Sequence, residues 1–251
     1  AMLERITADL LAQKPDHVAL TGDLVNIGLE SEFVTAQRYI ERVGGADFVS
    51  VIPGNHDVYV RSSFKYFVAS AAPWMTGDDT AKVAFPYVRV RGGVAIIGLS
   101  SGVPTAPLLA SGECGEVQLR ALAAALEAAK AAGHVRVVMI HHPPHRNGAT
   151  LGRGLRDARA FEKVIAVQGA ELVIHGHNHR SSVERIPGPQ GTSVPVVGVP
   201  SASAVPGSIS HLAGYHLYRI GSEGNRATIT LHRRGLTADG EIADLGTVSL
   251  S

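Results

Sequence analysis

Apolar residues recur along the chain in two rhythms, and the switch between them divides it. Residues 3–13 carry Leu3, Ile6, Leu10 and Leu11 on one side, the spacing of an amphipathic helix. The short apolar step 17–20 reads as a buried strand that leaves through Thr21-Gly22-Asp23. Residues 30–43 return to helical spacing, with Phe33, Ala36, Ile40 and Val43 inward. Gly44-Gly45 should end that helix with a left-handed cap. A strand is expected at 48–52, broken by Pro53-Gly54, and a short helix at 62–72. Two strands flanking Gly92-Gly93 read as a hairpin. An Ala-rich helix over 115–132 has a stripe of Leu119, Leu122 and Leu126 and stops at Gly133.

Strand 135–140, helix 155–168 with Phe161, Val164 and Ile165 on its core side, and strand 171–174 complete this alternating part. The tail then changes, with strands near 194–199, 215–220 and 226–233 and no helices between them. Residues 187–193 read as a loop. Alternation followed by a strand-rich tail predicts an α/β fold of two face-to-face sheets with helices outside, an αββα sandwich. At 251 residues, with no repeat or linker, the expectation is a single domain over 1–251.

Composition narrows the function classes. Apolar residues are 45% and charged residues 18%, as in an ordinary folded chain. A net charge of +1 without a dense Lys/Arg run gives no footprint for a nucleic-acid partner. The one cysteine, Cys114, excludes an internal disulfide and reads as a bystander near a helix start. No run is long enough to span a membrane, and no basic-then-apolar leader opens the chain, so the expected location is cytoplasmic. There is no G-x-S-x-G elbow and no dinucleotide fingerprint.

The chemistry gathers where strands end. The clusters are TGD at 21–23, GNHD at 54–57, HHPPH at 141–145 and HGHNH at 175–179. Seven of the 12 histidines lie in the last three. Strand ends of this kind meet at one rim in α/β folds. Mixed oxygen and nitrogen donors without cysteine suit Mn, Fe, Co, Ni or Zn better than Mg or Ca. Two such ions about 4 Å apart can clamp a phosphoryl group.

In order and composition these blocks resemble the calcineurin-like metallophosphoesterase family, and the spacing with the strand-rich tail is similar to its bacterial class III cyclic-nucleotide phosphodiesterase-like members. The resemblance implies hydrolysis of a small phosphoester, diester or monoester, by a metal-bound hydroxide. It implies that Asp23 bridges two ions, that Asn55, His141 and His177 join it on the second, and that His179 belongs to the first. His56 would hold the phosphate or protonate the leaving group, with Asp57 orienting it. Asn55 could also serve a left-handed turn.

The resemblance has a gap. The family's first block, D-x-H, which ends the first strand, is absent ahead of Asp23. An intact site holds two divalent ions, whereas these residues account in full for one. Ala1-Met2 reads as a tag remnant before a start placed downstream of the natural one. Loss of that strand would leave neighbouring strands with unpaired backbone, predicting a homo-oligomer or a rearranged sheet.

Around the core of the site, alternation turns only one residue of the histidine pair inward, His141, leaving His142 behind it. His145 belongs at the mouth, His175 packs, and Gly176 lets the chain pass close to the ions. Arg146 and the loop 148–157 form a candidate substrate wall, and His211 and His216 border it or belong to the tail. Two further functions stay open beside the phosphodiesterase. One is a lipid-precursor pyrophosphatase, which an apolar mouth at the rim would favour. The other is a non-catalytic metal-holding assembly protein.

Overall fold

The structure is a computed structural model describing residues 2–59, 62–106, 108–204, 212–223 and 226–251. Helix α1 (Met2–Ala12) leads into strand β1 (Val18–Leu20), helix α2 (Glu30–Val43) and strand β2 (Val49–Val51). Helix α3 (Ser63–Ala71) precedes the hairpin β3 (Tyr87–Arg91) and β4 (Val94–Gly98). Gly92 and Gly93 have φ of 53° and 82°, the left-handed pair that a two-residue hairpin turn needs. Helix α4 (Glu116–Ala131), β5 (Val135–Ile140), α5 (Ala158–Gln168) and β6 (Leu172–His175) continue the alternation. The tail is β7 (Ser182–Pro187), β8 (Ser193–Gly198), β9 (Gly214–Glu223), β10 (Arg226–Leu236) and β11 (Ile242–Ser249).

The central sheet has six strands in the order β3-β4-β5-β6-β8-β7, parallel inside and antiparallel at both edges. Neighbouring residues along each inner strand face opposite layers, as the two-residue period of a strand requires. Ile97, Val138, Ile140 and Val173 pack against Leu122 and Leu126 of α4 and Phe161 and Ile165 of α5. Ile96, Val137, Met139 and Ile174 face the other way, onto Val18, Val49 and Val51 of the small strands and Ile229 and Leu231 of β10. Phe33 and Ile40 of α2 and Phe67 of α3 join that second core. The layers are therefore helix, sheet, strands, helix, as expected.

The second layer is in two parts. It is a parallel pair, β1-β2, and an antiparallel trio, β11-β10-β9, with no hydrogen-bonded ladder joining them. Among the described residues no strand links the two parts.

Smaller corrections concern local chemistry. Gly44 caps α2 with φ 164°, an extended conformation, not a left-handed one. Strands β7 and β11 were not expected. The first forms an exposed edge of the six-stranded sheet, and the second bends with a bulge opposite His232 and Arg234. The loop expected over 187–193 is shorter: residues 188–192 connect β7 and β8 through one 3-10 turn at Pro189–Gly191. Arg89 sits in the alternating run of β3 yet is buried, donating to the carbonyls of Thr76 at 2.7 Å, Val49 at 2.6 Å and Pro73 at 2.7 Å. Cys114 is buried, and its backbone N–H and that of Gly115 donate to Asp157 at the start of α5. Among the described residues no helix is long and apolar enough to cross a membrane.

Candidate metal centre

Four parallel strands deliver the site from their carboxyl ends. Asp23 follows β1, Asn55 follows β2, His141 follows β5 and His177 follows β6. The turns are tight. Gly22 and Asp23 have φ of 92° and 58°, and His177 and His179 have φ of 65° and 54°. Left-handed backbone at a non-glycine residue is held against a local cost, and such residues cluster at functional sites. A Cβ on Gly54 would lie 2.1 Å from Asp23 Oδ1, and one on Gly22 would lie 2.5 Å from the Gly54 nitrogen. The two glycines are what allow the Asp23 and Asn55 loops to touch.

The four side chains converge. His141 Nε2 lies 3.1 Å from Asn55 Oδ1, 3.2 Å from His177 Nδ1 and 3.3 Å from Asp23 Oδ2. His177 Nδ1 is 3.0 Å from Asn55 Oδ1. Ligands about 2.1 Å from a tetrahedral or octahedral ion are separated by roughly 3.0–3.4 Å, so these spacings fit a coordination shell. The donor set fits as well. Neither Asn55 Oδ1 nor an ionised Asp23 carries a proton, and His141 Nδ1 faces the Thr21 carbonyl at 2.7 Å, to which it donates. Acceptor atoms are crowded together with few protons to share, and a divalent cation in their midst would satisfy all four. His177 Nε2, the ring nitrogen other than the one facing Asn55 and His141, is buried without a hydrogen-bond partner.

Electrostatics favour an ionised Asp23 and a neutral His177, with His141 the group that holds its proton more tightly. Burial pushes the Asp23 carboxyl up, but His141 and then His56 outweigh it and hold the group below the usual carboxylate range. Burial lowers His141, yet the Asp23 carboxylate more than compensates and its pKa is raised. Burial, followed by the neighbouring His141 charge, pushes His177 down to about 3, so its imidazole is neutral at ordinary pH with a lone pair to give.

Asp57 does something other than expected. Its carboxylate accepts backbone N–H bonds from Asp23 at 2.9 Å, Leu24 at 2.9 Å, Val25 at 3.2 Å and Gly54 at 2.8 Å. In return Asp23 Oδ1 accepts the His56 N–H at 3.0 Å. The two loops are latched reciprocally, each carboxylate holding the other's backbone. Burial, followed by repulsion from Asp23, raises Asp57 to about 6. The orienting partner of His56 is instead the Asn26 carbonyl, which faces His56 Nδ1. Asn26 is fixed in turn by Glu32, in the first turn of α2, which accepts the N–H groups of Asn26 at 3.2 Å and Leu29 at 2.9 Å. Asn55 has φ −72°, right-handed, so the left-handed turn considered for it is not present.

The other residues sort by their contacts. The ligand atoms of His141, His142 and His177 lie within 4.8 Å of one another. Both nitrogens of His142 are already engaged, Nδ1 with Ser101 Oγ at 2.8 Å and Nε2 with the Ala110 carbonyl at 3.1 Å, so we keep it outside the donor set. His175 is buried, its Nδ1 3.0 Å from the Gly176 carbonyl. His179 is exposed and lines the same cavity as Asp23, outside the group of four. His216 lines it too, with Nε2 3.0 Å from Ser181 Oγ. His211 lies outside the described residues. Arg146 pairs with Glu162, and Arg156 with Ser111 and Glu113. Arg153 is the arginine of that loop whose charge reaches His177. Sequence reasoning missed Asn26, Ser101 and Ala110 and the role of Thr21, which act through backbone carbonyls or a lone hydroxyl that no residue pattern marks.

The family model for calcineurin-like phosphoesterases matches residues 1–181. A dimetal phosphatase from Danio rerio superposes with TM-score 0.63 at 17% identity, over 99% of this chain and 89% of that one. A purple acid phosphatase from yellow lupin seeds superposes with TM-score 0.60 at 15% identity, over 99% of this chain and 48% of that one. At such identities the likeness is one of fold. No curated protein matches the chain in sequence.

Proposed function

This chain belongs to the calcineurin-like phosphoesterase family, and from that premise we propose that it hydrolyses a small phosphoester at a divalent cation held by Asp23, Asn55, His141 and His177. The observation that carries the reading is the convergence of four donor atoms at 3.0–3.3 Å. Their chemistry suits Mn, Fe, Co, Ni or Zn. Such an ion supplies Lewis-acid charge for the phosphoryl oxygens and acidifies water. Asp23 contributes the anionic oxygen, Asn55 a neutral one, and the two imidazoles their lone pairs. Asp23 and His179 would serve a second, weaker ion.

The chain's own residues supply the rest. The Asn26 carbonyl engages His56 Nδ1, which leaves Nε2 as the nitrogen that protonates the departing oxygen. Arg153 offers a guanidinium fork to the phosphoryl group. Asp57 serves by holding the Asp23 and Gly54 backbone. Turnover of bis-p-nitrophenyl phosphate with Mn tests the reading. It should fall by at least about a hundredfold in Asn55→Ala, with metal lost. In His56→Ala it should fall by roughly 10²–10⁴ with metal content unchanged. Unchanged turnover in Asn55→Ala would refute the site.

A second reading of the substrate has its own observation. Leu108 and Leu151 are fully exposed, at 99% and 104%, and Leu109 is 42% exposed. They sit on two adjacent loops joined by the bond from Ala110 N–H to the Gly152 carbonyl at 2.9 Å. Those loops border the centre, since Ala110 engages His142 and Arg153 acts on His177. An apolar rim beside a phosphoryl site favours an amphiphilic phosphoester or pyrophosphate, as in the lipid-precursor alternative. Across a series of p-nitrophenyl alkyl phosphates, KM should fall as the alkyl chain lengthens, and the trend should vanish in Leu108→Ser/Leu151→Ser. A KM independent of chain length would leave the small-substrate reading standing.

A further inference from the structure

Two loops that leave the parallel strands β4 and β5 at their carboxyl ends carry leucines at the tips of turns. The Leu109 N–H donates to the Ala106 carbonyl at 3.1 Å, which sets Leu108 at the third place of a four-residue turn. Leu108 has φ 71°, and its side chain is fully exposed. A left-handed third place favours glycine or asparagine, and a bulky residue there is strained. The neighbouring turn shows the ordinary solution. There the Arg153 N–H donates to the Thr150 carbonyl at 3.0 Å, and Gly152 takes the left-handed place at φ 79°. Leu151 stands beside it, also fully exposed. One exposed leucine is unremarked on any surface. Leu108 bears a backbone cost and an exposure cost together, and nothing inside the chain offsets either.

The two tips make one lip. Besides the bond from Ala110 to Gly152, the Gly112 N–H donates to the Gly154 carbonyl at 3.1 Å. Leu109 packs on Gly152, where a Cβ would lie 3.0 Å from its Cδ2. The lip rests on residues of the metal centre's own loops. The Ala110 carbonyl faces His142 Nε2 at 3.1 Å, and the Asn178 amide donates to the Gly148 carbonyl at 2.7 Å. Charge says what the lip would meet. Residues 100–112 and 141–156 contain Arg146, Arg153 and Arg156 and no aspartate or glutamate, in a chain of net charge +1. Arg146 and Arg156 are shared with Glu162 at 3.3 Å and Glu113 at 3.5 Å, and Arg153 has no carboxylate partner among the described residues. Three leucines offer roughly a few hundred Å², short of the about 800 Å² per partner of a stable protein interface. Protruding apolar tips beside arginines suit a fluid surface that they can enter, with an anionic layer at the depth of the guanidinium groups.

We propose that this lip docks the protein on an anionic lipid bilayer, with Leu108, Leu109 and Leu151 entering the interface and Arg153 meeting the headgroups. What the surface would present to the metal centre rests on the phosphoester reading; the docking itself does not. The full chain, in metal-free buffer, is sedimented with vesicles of phosphatidylcholine alone and of phosphatidylcholine mixed with phosphatidylglycerol. Expected are saturable binding to the mixed vesicles, weakened by salt, and little binding to phosphatidylcholine alone. Leu108→Ser/Leu151→Ser should bind at least about tenfold more weakly, because the apolar burial is forgone, with no fall in melting temperature. Leu108→Gly separates the two roles of that residue: it relieves the strained turn, so binding should drop while the melting temperature holds or rises. Arg153→Gln should cost about fivefold on the mixed vesicles, the scale of one arginine at such a surface. In Leu151→Trp the new emission should shift to the blue and be quenched by brominated lipid, against a native Trp74 that is buried. Asn55→Ala, whose turnover tests the phosphoester reading, should bind vesicles as the wild type does, which keeps the two claims apart. No binding by the wild type, equal binding by a folded Leu108→Ser/Leu151→Ser, an unshifted emission in Leu151→Trp, or burial of the leucines by self-association in solution would each overturn the proposal.

Discussion

Asp57 shows how one residue can be legible in kind and illegible in role. GNHD marks it beside His56, and the natural expectation pairs the two side chains. The fold instead turns the carboxylate onto four backbone N–H groups, three of them more than 30 positions away. Backbone amides leave no trace in sequence, so no reading of residue types could find them. The ligand residues are a different case. Asp23, Asn55, His141 and His177 are rare types at strand ends, and the fold brings them within 3.3 Å of a common neighbour. The latch makes a prediction at this scale. Asp57→Asn keeps the shape but puts an amide NH₂ against backbone donors whichever way it turns. It should destabilise the chain by about 1–3 kcal/mol, the cost of leaving buried donors unmet. Urea unfolding reads this directly, and an unchanged midpoint and slope would show that the latch carries nothing.

Among the elements, those with strong periodicity were readable almost to their ends, as α2 at Glu30–Val43 shows. Those that depend on remote partners were not. Nothing in the sequence of β3 marks Arg89, which is buried against the carbonyls of Val49 and Pro73. Helix α1 is similar. Its apolar stripe was visible, but its polar anchor was not. Asp9 accepts two bonds from Arg234 at 2.8 Å and one from Tyr215 at 2.6 Å, more than 200 residues away. Arg234 first, then Tyr215, outweigh burial and hold the Asp9 carboxyl below its ordinary value of 3.8. A depressed carboxylate stabilises the fold above its unfolded pKa, and that contribution is lost as pH falls through the folded value. The stability difference between the wild type and Asp9→Asn should therefore be full above about pH 5 and shrink in more acid solution. Chemical denaturation at pH 7, 4 and 3 measures it. A difference constant across that range would remove Asp9 from the docking of α1.

For the whole molecule, the order of elements fixes four layers, and the position of the site follows from parallel strands sharing one carboxyl-end rim. The split of the inner layer belongs to the same topology: among the described residues no strand pairs with both β1 and β9. Substrate class is where sequence was weakest. Single exposed leucines on loops look like noise in a sequence, and only the fold joins the loops that carry Leu108, Leu109 and Leu151. Everything proposed about chemistry depends on whether the four donors hold a cation together. Elemental analysis of the purified chain, dialysed against Mn or Zn and then against metal-free buffer, tests that most directly. The account predicts one ion retained per wild-type chain and none in His141→Ala or Asn55→Ala variants that remain folded. A wild type that holds no ion, or variants that keep theirs, would contradict it.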